Sequence, residues 1–138
     1  MADRHTPSQR SHNMSRIRSA NTAPERTVRQ IVHRLGFRFR LHQRHLPGTP
    51  DLVLSRHRKV IFVHGCFWHQ HAGCRYARVP ISSREYWIPK LAQNVQRDAD
   101  AKRRLEEAGW QVLEIWECET RNLSAAEAKL CCYFELGR

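Results

Sequence analysis

Residues 60–74 read Val-Ile-Phe-Val-His-Gly-Cys-Phe-Trp-His-Gln-His-Ala-Gly-Cys, which gathers His64, His69, His71, Cys66 and Cys74 into one short stretch. Thiolate and imidazole at such spacing are the ligands of a tetrahedral zinc. Cys66, His71 and Cys74 form the local part of a set, and Cys118 follows a strand able to lie beside the third strand and supply the fourth ligand. By spacing alone His69 or His64 serves as well as His71. A zinc there would staple two strand ends together. Cys131 and Cys132, in a helical stretch, read instead as small apolar residues.

A second constellation combines Asp51 at a strand entrance, His64 at a strand exit and Glu25 at a helix start. A carboxylate on a sheet edge suits Mg2+, a hard cation that takes oxygen ligands and keeps waters beside a phosphate. A histidine titrating near neutrality can deprotonate the attacking water, and on position His64 is the first choice. Taken singly, each of these residues has a structural role open to it, Asp51 and Glu25 as caps and His64 as a hydrogen-bonded strand end.

The aromatics come third. Phe67 and Trp68 lie side by side in the ligand-rich loop, with Trp87 further on. Apolar side chains that enter between base steps open and bend a duplex, while basic residues hold the backbone. Trp110 and Trp116 fall within a strand pattern and belong to the core.

Charge supports a polyanionic partner. Lys and Arg number 24 against 13 Asp and Glu, for a net charge of +11. Residues 1–45 carry ten Arg and two acids, whereas residues 105–138 carry three basic residues against seven acidic. Such asymmetry points to one face built for nucleic acid. The N-terminus is Arg-rich rather than apolar and no run reaches spanning length, so we expect a cytoplasmic protein with no membrane segment. Five cysteines in a reducing compartment favour metal ligation or burial over disulfides.

The elements that must position these groups follow from periodicity. Residues 1–20 read as a basic arm, and 21–138 as a single domain of sufficient length for its own core. Thr22-Ala-Pro-Glu25 is a capping box for a helix over 23–35, with Val28, Ile31, Val32 and Leu35 on one side and Gly36 as the stop. Phe37, Phe39 and Leu41 alternate with Arg38, Arg40 and His42 as a strand. Strands over 51–54 and 60–63 come next, then an irregular stretch. Ser82-Ser-Arg-Glu85 is a second capping box, and Pro89 is expected to kink or split the helix it opens. The longer part of that helix, 90–108, turns Leu91, Val95, Ala99 and Leu105 inward. A strand over 110–116 and a helix over 124–136 complete an α/β domain with a mixed sheet.

Several motifs together resemble one family. Asn13-Met14, Thr22-Ala-Pro-Glu25, Pro47-Gly-Thr-Pro-Asp51, His64-Gly-Cys-Phe-Trp-His69, Glu85-Tyr-Trp87, Lys90, Asn94-Val, Arg97-Asp98, Gly109-Trp110 and Trp116-Glu-Cys118 are similar to the very short patch repair endonucleases. The resemblance runs from about residue 10 to 120. It implies a bacterial enzyme with a restriction-endonuclease-like mixed sheet flanked by helices. It further implies nicking of double-stranded DNA 5′ to the thymine of a T:G mismatch left by 5-methylcytosine deamination, alongside a cytosine-5 methyltransferase. We expect a monomer.

Carried over by residue, the resemblance makes Asp51 the central Mg2+ ligand, joined by the backbone carbonyl of Val63. It moves the general base from His64 to His69 and leaves His64 and Glu25 supporting a second metal through water. Cys66, His71, Cys74 and Cys118 match the structural zinc ligands. Phe67, Trp68 and Trp87 match aromatics entering the base stack from the major groove, Met14 the residue entering from the minor groove, and Lys90 and Asn94 the mismatch contacts. Restriction-type nucleases place an acid and a lysine in the third strand; here Val63 and Gly65 stand nearby, so a histidine takes the lysine's part. Two other classes fit much of the pattern: a non-catalytic zinc-stabilised DNA-binding module, which has no use for Asp51 or Glu25, and a site-specific nuclease without mismatch preference.

Overall fold

The computed structural model describes residues 22–135. The basic arm expected over 1–20, including Met14, lies outside the described residues.

Helix α1 spans Ala23–Arg34, and the Thr22 hydroxyl at its N-cap accepts the Glu25 amide at 3.4 Å. Val28, Ile31 and Val32 are fully buried, and Gly36 at φ 93° ends the turn in a conformation that glycine adopts freely. Strand β1 covers only Arg40–Leu41 rather than 37–41. The in-out alternation from Phe37 persists, but β2, Leu52–Leu54, is three residues long and offers pairing only at Val53 and Leu52. Phe37 is fixed by packing instead, stacking on Phe134 at 4.1 Å.

β2 pairs antiparallel with β3, Lys59–His64, which pairs in parallel with β4, Gln111–Trp116. The mixed sheet therefore has the order β1-β2-β3-β4. Between β3 and β4 runs α2, Arg84–Glu107, and the last described helix is α3, Leu123–Tyr133.

Strand alternation divides the core in two. Leu52, Leu54, Ile61 and Ile115 meet Val28, Ile31 and Val32 of α1 and Ala126, Leu130 and Phe134 at α3. On the other face Val53, Val60 and Phe62 meet Leu105 of α2. The result is a sheet with α1 and α3 on one side and α2 on the other. None of the described helices is long and apolar enough to cross a membrane.

Three local expectations about α2 are corrected. Pro89 lies inside one uninterrupted helix and does not split it. It stands near the N-terminus, where a missing N–H removes a single bond and the packing of Trp87 and Leu91 on the domain outweighs that loss. The N-cap is Ser83, with no side-chain cap bond, so the capping box at Ser82 does not form; residues Ile81–Ser83 make a 3-10 turn. The buried stripe is Trp87, Leu91, Asn94, Ala101 and Leu105, while Val95 is 42% exposed and Ala99 is exposed. A polar residue, Asn94, takes the inward place expected of Val95 because its side chain has a partner inside.

Candidate active site and metal centre

The parallel β3–β4 register aligns His64 with Trp116, so the two chains leave the sheet side by side. Cys66 and Cys118 each follow two residues later, and the Cys118 amide donates to Cys66 Sγ at 3.4 Å. The loop after β3 then folds back: the His69 amide donates to Gly65 O at 3.1 Å and the His71 amide to Cys66 O at 3.0 Å. These turns bring His71 Nδ1 to 3.8 Å from Cys66 Sγ and 3.4 Å from Cys118 Sγ. One ligand atom from each of Cys66, His71, Cys74 and Cys118 lies within 4.8 Å of the others. Three sulfurs and one imidazole converging in this way suit a closed four-coordinate metal site. The His71 ring lies flat on Trp116, centroids 4.2 Å apart and planes 9° apart, which fixes its orientation. Burial pushes the Cys66 thiol up to about 12, helped by the thiol hydrogen bonds around it.

On the α2 side of the sheet a cleft of about 830 Å³ opens, lined by Glu25, Asp51, His64, His69 and Asp98 among others. Asp51 enters at the start of β2, and its Oδ2 accepts the Val63 amide of β3 at 2.7 Å. Burial, with Glu25 nearby, pushes its carboxyl up to about 6 against that hydrogen bond and the pull of His42 and His69.

His64 and His69 stack with centroids 4.0 Å apart. Each imidazole has its own carboxylate: His69 Nδ1 lies 2.5 Å from Asp98 Oδ2 of α2, and His64 Nε2 lies 3.2 Å from Glu114 Oε2 of β4. The hydrogen bond to His64 holds the Glu114 carboxyl below its ordinary range. Glu25 Oε2 pairs with Arg29 one turn on and with His42 Nε2 at 2.5 Å, and His42 Nε2 is 3.7 Å from Asp51 Oδ1.

Asp51, Val63, His64, His69 and Glu25 thus line the same cleft, and the four residues singled out for zinc meet in the adjoining loop. The aromatics are placed less simply. Trp87 is 1% exposed and Trp68 8%, packed edge to face on each other and on Phe67; of the three, only Phe67 is partly open to solvent. Asn94 is buried and donates to Trp68 O at 3.1 Å, so in the free protein it holds the aromatic loop rather than facing outward. Lys90 reaches over the Tyr86 ring at 5.6 Å.

Two residues of the cleft, Asp98 and His42, and one that backs it through His64, Glu114, were given no role by the sequence. Asp98 belonged to a recognised motif, Arg97-Asp98, and that was a usable signal. Glu114 is an acid in the middle of an apolar strand, a second usable signal. His42 sat on the wet side of an alternating strand, and nothing in that pattern marks it.

The model of the family described as DNA mismatch endonuclease Vsr matches residues 2–75. The chain belongs to that family. It is 44% identical over 121 residues to the DNA mismatch endonuclease Vsr of Escherichia coli, covering 88% of this chain and 77% of that one. Over 130 residues, 94% of this chain, it is 48% identical to the type II nicking enzyme V.XorIIP of Xanthomonas oryzae and 38% identical to V.NmeAIP of Neisseria meningitidis. Those matches cover 95% and 92% of the two relatives. As a Vsr-family member the chain is an endonuclease, a hydrolase that cleaves DNA. Its mixed sheet flanked by helices is the restriction-endonuclease-like arrangement expected from the motifs.

Proposed function

We propose that this endonuclease nicks double-stranded DNA 5′ to the thymine of a T:G mismatch, using a Mg2+ held at Asp51 and a zinc held at Cys66, His71, Cys74 and Cys118. The observation that carries the hydrolytic part is the stacked His64–His69 pair in one cleft with Asp51, each imidazole backed by a carboxylate.

The donors suit these groups. Asp51 presents a half-buried carboxylate whose Oδ2 is steadied by the Val63 amide, beside the Val63 backbone. Mg2+ at Asp51 would supply positive charge next to the scissile phosphate. Asp98 holds Nδ1 of His69, which leaves Nε2 to take the proton of the attacking water. His64, oriented by Glu114, stands behind that ring, and with Glu25 it would help to hold a second cation. The zinc ligands fix the loop that carries both His69 and Phe67. Phe67, Trp68 and Trp87 enter the base stack, Met14 enters from the other groove, and Lys90 and Asn94 contact the mismatch. For Trp68, Trp87 and Asn94 this requires the aromatic cluster to open when DNA binds, because all three are buried in the free protein.

The mismatch specificity rests on the similarity to the Escherichia coli mismatch endonuclease. A second reading, nicking at a fixed sequence without mismatch preference, is favoured by relatives described as type II nicking enzymes. Strand-resolved cleavage of duplexes that differ only in T:G against C:G, with Mg2+ and with chelator, separates the two. A nick on the thymine strand of T:G alone supports mismatch repair following cytosine-5 methylation; equal cleavage of both duplexes establishes the second reading.

A further inference from the structure

Outside the cleft, exposed arginines gather around an exposed ring. Tyr76 is 41% exposed although it is a large aromatic. The Arg121 guanidinium lies over its ring, 4.4 Å from the centroid, and the Arg75 guanidinium lies over it at 5.0 Å. Arg75 Nη2 also donates to the Tyr76 hydroxyl at 3.0 Å, a bond that holds the phenol below its ordinary range. Both arginines are exposed, so neither serves a buried acid.

Tertiary structure sets this arrangement. Arg75 and Tyr76 open a 3-10 turn, Arg75–Ala77, that begins immediately after Cys74. Arg121 closes a second such turn, Glu117–Arg121, that contains Cys118. The convergence of Cys66, His71, Cys74 and Cys118 brings the two turns together. Within the second turn the Thr120 hydroxyl donates to Glu117 O at 2.7 Å and steadies it. Glu117 Oε2 is 3.8 Å from Arg121 Nη2, an exposed and loosely held pair that leaves the guanidinium available to another anion. Glu117 also lines the cleft, which places Arg121 at the cleft's rim.

Two guanidinium groups beside one another repel, and the negative face of a phenol ring offsets part of that repulsion. An anion relieves the rest. The planar guanidinium fork matches phosphate, and holding it in place before contact removes part of the ordering cost of binding. A ring already carrying two cations is not open for a base to stack on, which separates this group from Phe67. Phosphate is therefore the chemistry it suits, and the substrate that enters the neighbouring cleft carries phosphate along its whole length.

We infer that Arg75, Tyr76 and Arg121 bind the phosphate backbone of duplex DNA beside the cleft, with Tyr76 holding the two guanidinium groups in place. Such a contact carries no base information and sets the position of the duplex over the cleft. The inference rests on the reading of duplex DNA as substrate and holds for either reading of its specificity. It also gives the Cys/His cluster a second consequence, since the cluster joins the two turns that supply the arginines.

The test is equilibrium binding of full-length protein to fluorescent T:G and C:G duplexes across a salt series, without added Mg2+. Arg75→Gln and Arg121→Gln are measured singly and together, with melting temperature and zinc content recorded for each. Each substitution should weaken binding to both duplexes by the same factor, roughly threefold to tenfold, and flatten the slope of log affinity against log salt by about 0.9. Tyr76→Ala should weaken both duplexes by a smaller factor with the slope kept, because both charges remain, and Tyr76→Phe should recover most of that loss because it keeps the ring. Arg103→Gln is the control for net charge: its guanidinium is engaged by Asp100 at 2.6 Å and Glu107 at 3.2 Å, and its removal should change little. Unchanged affinity and slope in the folded double variant overturn the inference. So does a loss confined to the T:G duplex, which would mark a contact to the mismatch, or an equal loss in Arg103→Gln. A wild-type protein with no affinity for either duplex overturns the substrate reading as well.

Discussion

The Asp98 carboxylate on α2 meets Nδ1 of His69 at 2.5 Å, joining the helix that crosses the sheet to the loop that leaves it. A carboxylate on one ring nitrogen fixes the tautomer and raises the basicity of the other. His69→Ala should therefore slow single-turnover nicking by ~10²–10⁴-fold, the contribution of a positioned base. Asp98→Asn should slow it by ~10-fold or more while duplex affinity stays nearly unchanged, because the amide cannot hold the same tautomer. Quenched-flow cleavage together with a binding titration checks both.

Asp51 yields a pH prediction. Its folded carboxyl titrates near 6, above its ordinary value of 3.8, because it is buried. The folded state holds the proton more tightly, so this group's contribution to stability is complete below about pH 4 and is lost as pH rises through about 6. In metal-free protein at pH 8, Asp51→Asn should be more stable than wild type by about 1–2 kcal/mol, and the gain should vanish at pH 4. Urea unfolding at the two pH values measures this. Mg2+ should stabilise wild type and leave the variant unmoved; a variant less stable than wild type at pH 8 without metal contradicts the assignment.

Cys66 is fully buried and its thiol is pushed up to about 12, so without a metal it stays neutral at physiological pH. A bound zinc would require the thiolate and replace a weak hydrogen-bonded cluster with coordination bonds. Cys66→Ser and Cys118→Ser should abolish a one-to-one zinc content measured by atomic emission. Each should lower the melting temperature by roughly 10 °C, corresponding to ~3 kcal/mol in a domain of this size. Because the same loop carries His69 and Phe67, mismatch binding and cleavage should fail together; retention of either at wild-type level counts against that coupling.

The aromatic cluster separates stability from recognition. Trp87→Ala removes a side chain that is 1% exposed and should cost ~3–5 kcal/mol of stability. Phe67 is only partly buried, so Phe67→Ala should cost much less stability. It should weaken affinity for the mismatched duplex by ~1–3 kcal/mol, the worth of one base–aromatic stack. Thermal melts and fluorescence titrations distinguish the two effects, and tryptophan emission should shift when DNA opens the cluster.

Much of the domain was legible because local signals agreed. Thr22 and Gly36 bracket α1, and the apolar run at 60–63 is β3. The Cys/His cluster was partly legible: Cys66 and Cys74 came from spacing and Cys118 from the expectation of neighbouring strands, while spacing left His64, His69 and His71 open and only the folded loop brings His71 to the three sulfurs. What failed were properties set by a partner element. Phe37 and Phe39 have the pattern of a strand but, among the described residues, no strand opposite them. Val95 has the pattern of an inward residue, but the true stripe runs through Asn94 because Trp68 O offers that amide a partner inside. Pro89 is a helix breaker by composition, yet packing of its neighbours carries the helix through.

The sequence by itself determined the types of donor present, the order of the elements and the basic character of the chain, since these depend on residues close together along the backbone. Only the tertiary structure decided which histidine meets which carboxylate. His69 pairs with Asp98 across 29 positions, His64 with Glu114 across 50 and His42 with Glu25 across 17. Hydrogen bonds of that kind are fixed by strand register and by helix placement over the sheet. Periodicity specifies the face a side chain occupies, but not the partner that another element brings to it.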